Sequence, residues 1–201
     1  MPVSRPGPAR RRLTLVAAAG LFLLLAVLLT SQVALSRLKA FAAPVLLQSA
    51  AVLAEQREVP VRPWSWADFA VVGRLETPVG NWPLLDRASG QALAFAPGLV
   101  EGAGDPLVAG HRDTHFARLG DLAPGDRLHV ATAALPKTTY RVTGRRVVHA
   151  EHTVLPAGGR TLNLVTCWPL DELGDPGPWR LLVTAEKLPS EDHNLATFAT
   201  P

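Results

Sequence analysis

From Leu13 to Ser36 no charged side chain interrupts the chain, and Leu21–Leu29 is apolar without a break. A helix crossing a hydrocarbon core of about 30 Å needs roughly 20 such residues. The pattern therefore predicts a transmembrane signal anchor over residues 13–36. Arg10, Arg11 and Arg12 precede it, and Arg37 and Lys39 follow. The heavier cluster favours residues 1–12 as a cytoplasmic basic tip, with everything after Ser36 outside. The alternative is a cleaved signal peptide, whose apolar region usually runs about 7–15 residues and ends at small side chains. Ala17–Ala19 lies early in this run and Ala42–Ala43 well beyond it, which favours the uncleaved anchor. Residues 37–66 continue with helix formers. Phe41, Val45, Leu46, Val52 and Leu53 recur at loosely helical spacing, with Pro44 as a kink or break. Trp64 and Trp66 close this stalk, either anchored at the membrane interface or packing the stalk onto the domain beyond it.

The pattern changes over residues 67–188. Short β-rich stretches, separated by Gly, Pro and Asp, predict strands at Phe69–Leu75, Pro106–Ala109, Arg127–Ala131, Thr138–Val148, Thr161–Thr166 and Arg180–Ala185. Tyr140 and Val142, and Leu162 and Leu164, alternate with mostly polar neighbours. Ala123–Asp126 and Ala157–Gly159 carry turn chemistry, and one short helix is expected at His115–Leu119. Many short strands at this spacing predict a mainly β fold closed into a small barrel. About 120 residues suffice for such a core. Residues 189–201 read as a flexible tail.

Composition changes this picture in two places. With 48% hydrophobic and 18% charged residues, the chain is not intrinsically disordered. The net charge of +3 is misleading, because Arg5, Arg10, Arg11 and Arg12 supply all the charge of the first twelve residues. The remainder is nearly neutral, without the broad positive face that nucleic-acid binding needs. A single cysteine, Cys167, excludes an intrachain disulfide framework and a thiolate zinc cluster.

A lone thiol outside the cytoplasm is buried filler, is joined to another chain, or is kept for its chemistry. Cys167 ends the predicted strand Thr161–Thr166, and Trp168-Pro169 stops the ladder after it. A strand terminus exposes a side chain at a barrel rim while holding it on a rigid scaffold. His111 follows the strand Pro106–Ala109 at a similar junction, and Arg180 opens the strand Arg180–Ala185. An imidazole can pair with the thiol or donate to a leaving amine. A guanidinium stays protonated but can hold an oxyanion. Singly, each of these residues is ordinary; all three at strand ends form a constellation.

That constellation resembles the sortases, membrane-anchored cysteine transpeptidases with an eight-stranded β-barrel. The resemblance rests on Thr166-Cys167 at a strand end, preceded by Thr161-Leu162, on Gly110-His111-Arg112 upstream, and on Arg180 on the next strand. The strings His111–Phe116 and Trp64–Asp68 are most similar to the class GN sortases of Gram-negative bacteria, related to class D. The resemblance implies Cys167 as nucleophile, Arg180 as oxyanion holder and His111 as acid and base. Ala109, Thr166 and Trp168 would contact substrate. It further implies cleavage of an LPxTG-like C-terminal sorting signal on a secreted protein, through a thioacyl-enzyme. The acyl group would pass to an amine acceptor in the cell wall or on a protein. The enzyme would sit as a single-pass protein in the inner membrane, in contact with lipid, with its catalytic domain in the periplasm. No cofactor or metal is implied, and no compact carboxylate cluster of the kind that binds calcium is visible.

Other residues have structural readings. Asp113 either orients His111 or Arg112 or caps the next turn, with capping favoured. His115 is expected to pack beside Phe116. His149 and His152, three apart on a strand, would point to opposite faces and so not share a metal. Trp168 and Trp179 either wall a groove or pack the barrel. Two rival readings remain. An L,D-transpeptidase would carry its cysteine in a Ser-x-Gly-Cys-like segment, and Leu164-Val165-Thr166-Cys167 is not one. A membrane-tethered, non-catalytic β-barrel binding module would leave the three strand-end residues as coincidence.

Overall fold

The computed structural model describes residues 8–102, 104–133, 135–155, 158–172, 174–175 and 177–189, apart from the side chains of residues 8–17, 33–40 and 135–136. The expected tail and most of the basic tip lie outside these residues. The chain divides into two compact units, residues 1–44 and 45–201. Helix α1 (Pro8–Arg57) runs through Pro44, where a kink or break was expected.

In the first unit, Leu21, Phe22, Leu23, Leu24, Val27, Leu28 and Leu29 are all exposed on the helix. Among the described residues, no helix is long and apolar enough to cross a membrane. The anchor expected over residues 13–36 gains no support from the fold; the side chains at both ends of that run lie outside the described ones.

The second unit is the barrel. Its strands are β1 (Val71–Thr77), β2 (Gly80–Leu85), β3 (Gly98–Leu99), β4 (Leu107–Ala109), β5 (Arg127–Thr132), β6 (Leu135–His149), β7 (Thr161–Cys167) and β8 (Trp179–Lys187). They close in the order β1-β2-β3-β4-β7-β8-β6-β5. The closure runs through short pairings on one side, β2 meeting β3 only at Leu85 and Gly98. The β2–β3 and β4–β7 pairs are parallel and the others antiparallel. The β4–β7 pairing sets the ends of two distant segments side by side.

Leu75, Leu84, Val108, Leu128, Leu164 and Val183 fill the barrel together with Phe116, Leu119 and Leu122, which cover it from the segment after β4. The alternation that marked Tyr140 and Val142 is the inward face of β6, and Leu128 and Val130 of β5 join them in the core. Leu162, Asn163 and Leu164 are buried in succession, because β7 is covered on both faces. Buried Asn163 is satisfied by the Thr161 and Thr184 hydroxyls.

A second cluster joins Leu47, Ala50 and Ala51 of α1 to Phe69, Val71, Leu85, Ala92 and Ala96. The small alanines let the helix approach the barrel wall closely. Trp64 seals this seam edge-on to Phe69 and Phe95. Packing, rather than an interface role, accounts for Trp64, while Trp66 is 78% exposed. In place of the helix expected at His115–Leu119, residues 112–118 form successive turns ending in a 3₁₀ turn, Leu119–Asp121.

Candidate active site

Strand register decides the site. Cys167 and Arg180 are direct partners across β7 and β8. Directly opposed residues project to the same face of a sheet, so thiol and guanidinium are neighbours by construction. Trp168 N–H donates to Trp179 O at 3.1 Å and carries the pairing one step past the strand end. The thiol is free and half-buried.

His111 arrives from β4. Ala109 pairs with Val165 in parallel, and Gly110 N–H donates to Val165 O at 3.1 Å. The buried Thr166 hydroxyl donates to Gly110 O at 2.8 Å. The residue before the cysteine thus grips the residue before the histidine. Gly110 is required here for space: a Cβ would lie 2.7 Å from the Phe116 ring. That ring is fully buried beneath the His111–Phe116 segment and meets Trp82 edge-on at 5.4 Å.

His111, Cys167 and Arg180 line one groove of about 390 Å³, together with Ala109, Thr166, Leu107, Val148, Thr153 and Leu155. Its walls are mostly apolar and its polar groups few, as in sites that bind an extended ligand and fix its orientation. Arg180 NH1 donates to Gly177 O and Trp179 O, both at 2.8 Å. These two bonds steer the fork while leaving its other N–H groups uncommitted among the described residues. Of the residues expected at the site, Ala109 and Thr166 line the groove. Trp168 does not; it is half-buried against the barrel core.

Burial, with His111 adding to it, pushes the His115 imidazole below its ordinary value. Asp113 is exposed and forms no hydrogen bond among the described residues, so neither the cap nor the orienting role is seen.

Two positions to which the sequence reading gave no role of their own hold the strand that ends at Cys167. Arg112 is buried, and its fork donates to Pro169 O at 2.9 Å and Gly174 O at 2.7 Å. It ties down the segment between Cys167 and Arg180. Asp105, 1% exposed, accepts from the backbone N–H groups of Gly158, Gly159 and Thr161 and from the Thr161 hydroxyl. Those bonds hold its carboxyl down to about 2, the Thr161 hydroxyl contributing most. The signal for both was weak: an ionic residue on either flank of a three-residue strand.

The sequence expectation for His149 and His152 fails on geometry. β6 ends at His149 and the chain turns, His152 N–H donating to His149 O at 3.3 Å. The two rings lie 4.3 Å apart, centroid to centroid, instead of on opposite faces.

The fold has relatives among known proteins. The family model of the sortase domain matches residues 74–188. Sortase D of Bacillus subtilis (strain 168) is 30% identical over 88 residues, covering 42% of this chain and 43% of that protein. The match therefore spans less than half the length of that curated relative. Sortase C-1 from Actinomyces oris superposes with a TM-score of 0.50 at 26% identity, over 58% of this chain and 73% of that one. A lid mutant of sortase A from Corynebacterium diphtheriae gives a TM-score of 0.54 over 76% of this chain and 96% of that one; at 20% identity it speaks for the fold alone.

Proposed function

We propose a peptide-transfer function from a fixed premise: the chain belongs to the sortase family. In this reading the chain is a cysteine transpeptidase. It cleaves an LPxTG-like sorting signal near the C-terminus of a secreted protein and passes the acyl part to an amine. The observation that carries it is the cross-strand pairing of Cys167 with Arg180, in one groove with His111.

The Cys167 thiolate attacks the scissile carbonyl and forms the C–S bond. The uncommitted N–H groups of Arg180 hold the oxyanion that develops. Collapse breaks the C–N bond, and His111 gives its proton to the departing amine. A thioester remains on Cys167, reactive enough to await a second substrate. The acceptor amine attacks it, His111 takes a proton from that amine, and the new amide leaves as the thiolate is regenerated. Water in place of the amine gives hydrolysis. The class GN character rests on His111–Phe116 and Trp64–Asp68, and the match to a sortase D supports a relation to class D.

Attachment to the inner membrane through residues 13–36, with the barrel in the periplasm, belongs to the same proposal. It rests on the uncharged run and its flanking basic clusters. Fractionation with protease protection of intact spheroplasts checks it: the barrel should sediment with membranes and be digested from outside.

The test of function is incubation of the full chain with a library of LPxTG-like peptides, with and without a glycine-based amine. Intact-mass spectrometry should show one acyl adduct on Cys167, discharged by the amine. Cys167→Ala should abolish the adduct. Arg180→Ala and His111→Ala should each slow transfer about 10²-fold or more, the scale for removing an oxyanion donor or a general acid. Folded protein that forms no adduct with any peptide, or forms one equally well in Arg180→Ala, would sink the proposal.

A further inference from the structure

Beside the groove, His149, Glu151 and His152 place one potential ligand atom each within 4.8 Å of one another. A second feature points the same way: His149 Nδ1 is buried and has no hydrogen-bond partner among the described residues. Neither tautomer of that imidazole is therefore fixed by a bond at Nδ1, and the ring can present a lone pair. A buried ring nitrogen without a partner is unusual enough to require a reason.

We propose that His149, Glu151 and His152 bind a divalent transition-metal ion, with zinc as the best match. Two borderline imidazole nitrogens beside one carboxylate form a set that suits zinc, whereas calcium and magnesium take oxygen ligands throughout. Three protein ligands leave a fourth tetrahedral position for water. Glu151 and His152 are exposed, so an ion can enter from solvent and draw these two side chains onto the half-buried His149. The turn between the histidines is already closed by the His152 N–H to His149 O bond and by the Thr153 hydroxyl donating to His149 O at 2.8 Å.

The position gives such an ion a consequence. Ala150 and Thr153, on either side of Glu151 and His152, line the groove. Ala150 N–H donates to Pro178 O at 2.9 Å, and the His149 ring meets Trp179 edge-on at 5.3 Å. An ion held here clamps one wall of the groove to the segment that leads into Arg180. It takes no part in bond making; it stiffens the wall. The site stands whether or not the transfer reaction does, since its test reads binding.

Cys167 is the competing soft ligand in the molecule, so the titration uses the full-length Cys167→Ala chain. Calorimetry with zinc alone should give one equivalent bound with a micromolar Kd, on the order of −8 kcal/mol. His152→Ala, changed at an exposed position and thus safe for folding, should weaken binding about tenfold or more, as should Glu151→Gln. Cobalt bound to the same protein should show ligand-field bands that disappear in His152→Ala. No zinc binding below about 1 mM, or an isotherm unchanged by His152→Ala, would overturn the proposal. Binding in the native chain that vanishes in Cys167→Ala would overturn it too, by assigning the ion to the thiol.

Discussion

The two ends of β7 are held by opposite charges that flank a single neighbouring strand. Before β4, the buried Asp105 carboxylate gathers N–H donors from the segment that enters β7. After β4, the buried Arg112 guanidinium gathers carbonyls from the segment that leaves it. Each end receives the ion that complements its orphaned backbone groups. Only the exit end lies at the groove, because there the chain must emerge with Cys167 at the rim and return with Arg180 facing it. The entry clamp is expected to act on stability alone, the exit clamp on stability and on the geometry of the groove.

The largest effect that would sharpen this contrast is expected from Arg112→Ala. Loss of the fork frees Pro169 and Gly174 and loosens the path from Cys167 to Arg180. Misplacing reacting groups by about 1 Å can cost about 10²-fold in rate, so transfer should fall by about that factor. Stability should fall by about 1–3 kcal/mol, the cost of stranding buried hydrogen-bonding groups. Arg112→Lys offers a single point donor in place of a planar fork and should recover folding better than rate. Peptide-transfer kinetics alongside thermal melts check both. Equal recovery of rate and stability by lysine would mean the exit clamp is merely structural.

Next in size is Thr166→Val, which keeps the shape but removes the hydroxyl that grips Gly110 O. The carbonyl before His111 loses its restraint, and about 1 kcal/mol of stability goes with it. Transfer should fall about tenfold, with the loss in kcat rather than KM, since the drift moves the imidazole and not the apolar walls. Gly110→Ala should act at the same point by a different route, forcing a methyl against the Phe116 ring and lowering rate and melting temperature together.

These clamps also mark how far the sequence could be read. Six strands were legible from β-branched residues and alternation, and they appear with ends shifted by a few residues. β2 was not, since Gly80, Asn81 and Pro83 carry turn chemistry inside a strand. β3 has two residues and no pattern to detect. The three rim residues were legible because Cys167 ends a β-rich run, His111 follows one and Arg180 opens one. Asp105 and Arg112 look like loop ions in one dimension. They become clamps only when β4 lies parallel to β7, a pairing between segments more than fifty residues apart that no local pattern encodes. The His149–His152 contact was missed for a related reason: the predicted strand ended one residue short of His149, and the face argument assumed it ran on to His152.

The smallest effect on rate belongs to the entry clamp, and it is read through acid. The Asp105 carboxyl lies well below its ordinary value of 3.8, at about 2. Between those values the unfolded chain takes up a proton that the folded chain refuses, so this group's contribution is full above about pH 4 and is lost as pH falls towards 2. Asp105→Asn keeps the side-chain volume but removes the charge and turns an amide N–H₂ towards backbone donors. At pH 7 the variant should melt several degrees lower while its transfer rate stays within about twofold, because the rim is held from the other end. As the pH is lowered from 4 to 2, the two melting curves should converge, since the native protein loses an advantage the variant never had. A gap that stays constant over that interval would show that Asp105 acts by shape and not by charge, and a rate that falls along with the melting temperature would show that the two ends of β7 are one device.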